Sequence, residues 1–246
     1  DNLSNLVLST RMYTITGNEN YFKSAEGYYN VTVQETNKML DIMKQSNTER
    51  SIMLQERLNE SLEELQEFET LVMQTVDSTA RINEVLVSVR NGSQQTNNNL
   101  VSLIRALTKQ DVTESQVSRP VVERITYQVA ETIMLNDQAM NALLLAVANR
   151  SSEDVKELGS IIEEMYKNLD YVASQLTRND VKLLTANARK GIDANVENAN
   201  NMVAILTQLE QANVERADLG ANLSEDFADV TNQSIASTAE SMNSLN

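Results

Sequence analysis

The sequence predicts an all-α protein of six helices, two long and four short, forming two stacked four-helix bundles. The 246 residues include only six glycines and one proline, too few turn residues for a multistranded sheet of this size. Glu, Gln, Leu, Met, Ala and Asn abound while aromatics make up 4%, which favours elongated, thin-cored helices over one wide globular core. The intervals between predicted breaks fall into two length classes, and that division gives the architecture.

The first helix ends at Gly17-Asn18. The second is predicted over 19–45 and ends at Ser46-Asn47-Thr48, where Ser46 to Glu49 has the S-x-x-E spacing of a capping box. The third spans 47–110, and an Asn91-Gly92-Ser93 interruption inside it reads as a kink, a bulge or a true loop that would make seven helices. A break over Asp111 to Pro120 precedes the fourth, 120–149. SSED at 151–154 reads as a second capping box that opens the fifth, 152–177. Thr177 to Asp180 separates it from the sixth, 179–246. The third and sixth would reach on the order of 100 Å and the shorter ones about 40 Å, at 1.5 Å per residue. Two short pairs therefore stack along one long pair. One bundle is expected over about 1–78 plus 212–246 and the other over about 79–211. Core stripes are expected at Leu58, Leu62, Leu65, Val72 and Val76, and at Leu206, Leu209, Leu223 and Phe227.

Charge and residue absences exclude several functions. A net charge of −15 with no basic run argues against nucleic-acid binding and docking on anionic lipid. Without histidine or cysteine, zinc sites, thiol catalysis and histidine-based triads are ruled out. No enzyme activity, cofactor or metal is expected. No apolar run approaches the roughly 20 residues that span a bilayer. The chain starts at Asp1 and reads as an excised piece from which flanking membrane segments have been cut away.

Two arginines stand out. On a helical wheel Arg216 falls on the core stripe with Leu209, Leu223 and Phe227, with Gly220 one turn later on the same face. Counting levels along the antiparallel helices places Arg11 close to it, beside the stripe of the first helix, with Ser24 and Tyr28 inward at a similar height. A buried guanidinium needs an anionic partner or water. That partner is either the carboxylate of a small ligand, held by Arg11, Arg216 or both, or Glu69, which is expected on the core stripe of the third helix at this level. Tyr28 is included among the candidate contacts, although Tyr13, Tyr21 and Tyr28 read first as packing residues.

RMYTITGNENY at 11–21 and NVERADLG at 213–220, with the pattern of helix lengths, resemble the helical bimodular sensor domains of bacterial chemoreceptors, the methyl-accepting chemotaxis proteins. The resemblance implies a periplasmic domain between two transmembrane helices, acting as a homodimer. It further implies a membrane-proximal bundle that binds small organic acids, citric acid cycle intermediates among them, through arginines of the first and last helices. Arg11 and Arg216 are the matching positions. The chain departs from some members in having Arg11 alone where they carry closely spaced arginines, with Val7 and Leu8 one turn earlier. In QAMNALLLAVANRSSED the stretch that is basic in others is apolar up to Arg150, so no carboxylate site is expected in the distal bundle. Other expectations open at this point are a histidine-kinase sensor domain and a helical interaction module that reads a periplasmic partner protein.

Overall fold

The computed structural model describes residues 2–46, 48–108, 118–155 and 158–244, with side chains described as far as 236. All its regular elements are helical: α1 (Asn2–Thr16), α2 (Glu19–Met43), α3 (Glu49–Thr108), α4 (Arg119–Asn149), α5 (Leu158–Gln175) and α6 (Asn179–Ser244), with a 3-10 turn at Glu153–Val155. α3 has 60 residues and α6 has 66. No described helix is long and apolar enough to cross a membrane.

The helix ends follow local chemistry. Gly17 adopts φ 64° and donates its N–H to Tyr13 O at 2.7 Å, which stops α1. Asn18 caps α2 by accepting from Asn20 N–H at 3.0 Å. The cap of α3 lies two residues beyond the predicted one. Ser46 N–H is already held by Met43 O at 3.1 Å, and it is Thr48 Oγ1 that accepts from Ser51 N–H at 3.2 Å. Pro120 sits in the first turn of α4, where its missing N–H costs nothing. The rest of the predicted Asp111–Pro120 break, over 111–117, lies outside the described residues.

The second capping box does not form. Ser151 N–H closes the end of α4 on Ala146 O at 3.0 Å, and Asn149 Nδ2 donates to Asp154 Oδ2 at 2.7 Å. The acid that would cap the next helix is thus engaged, and 153–155 makes only the 3-10 turn.

The Asn91-Gly92-Ser93 interruption is continuous α-helix. A Cβ at Gly92 would meet Asn195 Oδ1 of α6, so the glycine permits close approach between helices rather than breaking one. Gly191 makes the reverse contact, against Thr96 of α3.

The chain divides into two compact units, Asp1–Thr79 with Leu209–Asn246, and Ala80–Gln208. In the first, Leu3 and Leu6 of α1, Ala25 of α2, Leu65, Phe68 and Val72 of α3, and Leu223 of α6 form one buried cluster. In the second, Leu100 and Leu103 of α3, Ile125 and Val129 of α4, Met165 and Leu169 of α5, and Ala188 and Ile192 of α6 do the same.

Most buried positions on α3 from Leu54 to Ile82 follow alternating steps of four and three: Leu54, Leu58, Ser61, Leu65, Phe68, Val72, Thr75, Thr79, Ile82. This is the heptad spacing of a left-handed bundle. Leu62 and Val76, expected on this stripe, lie beside it half-buried, because Ser61 and Thr75 occupy the inner positions.

Two glycine substitutions should therefore have opposite signs. Gly27 of α2 has open space around it, so Gly27→Ala should stabilise by about 1 kcal/mol through helix propensity. Gly191→Ala should cost about 1–3 kcal/mol, since Thr96 is fully buried with its hydroxyl donated to Gly92 O at 2.9 Å. Urea denaturation of the two variants checks both signs.

Candidate functional site

α6 carries the heptad through Leu206, Leu209, Asn213, Arg216, Gly220, Leu223, Phe227 and Val230, so the spacing itself directs a guanidinium inward. Arg216 is 7% exposed. Its acceptors are all neutral: Nη1 donates to Thr75 Oγ1 at 2.9 Å, and Nη2 donates to Thr14 Oγ1 at 2.8 Å and to Asn213 Oδ1 at 2.9 Å. The two threonines pass their own hydrogens to the carbonyls one turn back, Thr14 to Thr10 O at 3.0 Å and Thr75 to Leu71 O at 2.9 Å. Each hydroxyl is thereby oriented with its oxygen toward the cation. α1 and α3 hold the head of an α6 side chain.

Burial alone pushes the Arg216 guanidinium down to about 10, with no carboxylate acting to oppose it. The group stays charged at neutral pH. A buried cation held by hydrogen bonds to neutral groups but not matched in charge is the arrangement that an incoming anion improves most.

Beside it runs a groove of about 770 Å³ between α1 and α6, within the usual size range of small-molecule sites. Val7, Ile15, Ala217 and Ala221 give it apolar walls, and Arg216, Asn213 and Thr14 form its polar end. Gly220 keeps it narrow at one point, where a Cβ would stand 3.2 Å from Val7 Cγ2. Arg11 also lines this groove and is exposed, supplying a second positive charge at its rim.

Of the four residues singled out in the sequence, Arg11 and Arg216 are thus brought to one groove, whereas Tyr28 and Glu69 do not line it. Tyr28 is half-buried against the four-helix cluster of this unit. Glu69 is exposed, because its neighbour Phe68 takes the core position. The expected Arg216–Glu69 ion pair is absent. Glu69 instead accepts a hydrogen bond from Tyr29, whose hydroxyl is pushed up to about 12 by burial first and by this carboxylate second. Both border a separate depression of about 70 Å³ with Phe22, Phe68 and Glu26. Ser24, expected to face inward, is exposed.

Sequence reasoning missed Thr14, Thr75 and Asn213. Their signal was available: Thr75 and Asn213 sit on heptad core positions, and a polar residue in such a place needs a partner.

A second unpaired charge lies in the same unit. Glu64 Oε2 is buried without a hydrogen-bond partner among the described residues. Burial first, then Asp226, Glu67 and Glu60, push its carboxyl above the usual range. An acid whose folded pKa is raised costs stability when ionised, and the cost disappears as pH falls and it protonates. Glu64→Gln should raise the melting temperature at neutral pH, and the difference should shrink toward zero near pH 4, about the ordinary carboxylate value. Melting curves of both proteins against pH check this.

No protein-family model matches the chain, and no curated protein matches it in sequence.

Proposed function

We propose that the chain is a ligand-binding sensor module whose first unit takes up a small organic acid in the α1/α6 groove. Arg216 binds the acid's carboxylate and Arg11 adds attraction at the rim. The observation that carries this reading is the buried guanidinium of Arg216, which has three neutral acceptors, no counter-ion among the described residues and an open groove beside it. The likeness of 11–21 and 213–220 to chemoreceptor sensor domains adds the wider setting. In that setting the module is periplasmic, dimeric and flanked by transmembrane helices, and binding shifts α6 against α1 by a small displacement.

A second reading, a helical module that docks a partner protein or a second chain, has its own support. Leu8 and Ile15, two turns apart on α1, are 57% and 60% exposed. Thermal-shift screening of the chain against organic acids, amino acids and amines separates the two. The sensor reading expects organic acids to raise the melting temperature and Arg216→Ala to erase that response. A flat response to every small molecule favours the docking module.

A further inference from the structure

We propose that Asn213 is a built-in competitor for the ligand, its side-chain oxygen occupying the place on Arg216 that a bound carboxylate oxygen takes. This rests on the organic-acid reading of the groove and names what regulates affinity there.

A guanidinium has five N–H donors. Both Nη2 hydrogens of Arg216 are already given away, one to Thr14 and one to Asn213, while Nη1 is tied to Thr75. Thr14 and Asn213 line the groove and Thr75 does not, so an anion arriving in the groove meets the occupied Nη2 end. To gain a charge-assisted bond there it must displace one of the two acceptors.

The two are held differently. Thr14 is buried and anchored through its own hydroxyl hydrogen to Thr10 O. Asn213 is half-buried and lies one turn from Arg216 on the same helix, and its bond to Nη2 is its one side-chain hydrogen bond among the described residues. It can turn toward water without disturbing another helix. An amide oxygen and a carboxylate oxygen are acceptors of similar shape, but only the carboxylate supplies the charge that the buried cation lacks. Asn213 therefore keeps the empty site satisfied and yields to the ligand, while Thr14 and Thr75 hold the guanidinium in place.

Calorimetric titration of the whole chain with acetate, succinate, malate and citrate, alongside Asn213→Ala and Asn213→Asp, tests this. Asn213→Ala removes the competitor and should tighten binding by roughly tenfold or more, the worth of one hydrogen bond to a charged group. Asn213→Asp installs an internal carboxylate against Arg216 and should weaken binding by about a hundredfold or more. The unligated Asp variant should also melt higher than wild type at neutral pH. Its carboxyl, lowered by the guanidinium, stabilises above the ordinary carboxylate range, and that gain is lost on acidification. Wild-type binding combined with unchanged or weaker binding in Asn213→Ala, or with undiminished binding in Asn213→Asp, overturns the proposal and leaves the organic-acid reading standing. A wild-type chain that takes none of the four acids removes both.

Discussion

Arg216→Met is expected to abolish organic-acid binding while leaving the unligated protein at least as stable as the wild type. The wild-type guanidinium is desolvated and meets no carboxylate among the described residues, so replacing it with an apolar side chain of similar length removes a buried, uncompensated charge. Thr14 and Thr75 retain their donor bonds to Thr10 O and Leu71 O, and no hydroxyl hydrogen is orphaned. Loss of the charge-assisted contact to Arg216 should reduce affinity by about a hundredfold or more. Circular-dichroism melts and calorimetric titrations of the same preparation measure the two effects separately. A variant that unfolds would mean that the three bonds of Arg216 to neutral acceptors hold the unit together, which contradicts a guanidinium kept for a ligand.

Phe68→Ala should be the most damaging single change in the first unit, at about 3–5 kcal/mol. Phe68 is fully buried in the cluster contributed by α1, α2, α3 and α6, and its ring lies 3.7 Å from the point where a Cβ on Gly220 would stand. A cavity there undermines the floor of the groove as well as the core. Hydrogen exchange should show lost protection around Leu65–Val72 and Leu219–Leu223. Phe68→Leu, which keeps most of the apolar volume, should recover a large part of it.

The helical class and the helix order were readable because Gly and Pro are rare in this chain, and because Gly17 and Pro120 mark real helix ends. Gly17 and Pro120 act through backbone geometry that needs no tertiary partner. Gly92 misleads for the opposite reason: its role is an approach by Asn195 from a distant part of the chain, which local sequence does not reveal. The capping boxes failed through competition, since Thr48 lies nearer the start of α3 and Asn149 engages Asp154 first.

Arg216 was legible from its place on an otherwise apolar heptad. Its partner Thr75 was legible only by following the heptad through Ser61, Phe68 and Thr79, without which it looks like an ordinary surface residue. Glu69 was misplaced by a single step along the helix. On a spacing of three and four, that step separates the core position of Phe68 from solvent.

The most direct test of the central claim follows the Arg216 guanidinium by NMR in protein carrying nitrogen-labelled arginine, its resonance identified by its loss in Arg216→Met. Titration with succinate, malate and citrate is expected to shift that resonance saturably, with the same midpoint as the calorimetric heat. Binding heat with an unmoved Arg216 signal, or no heat and no shift with any acid, would contradict a carboxylate site built on this arginine.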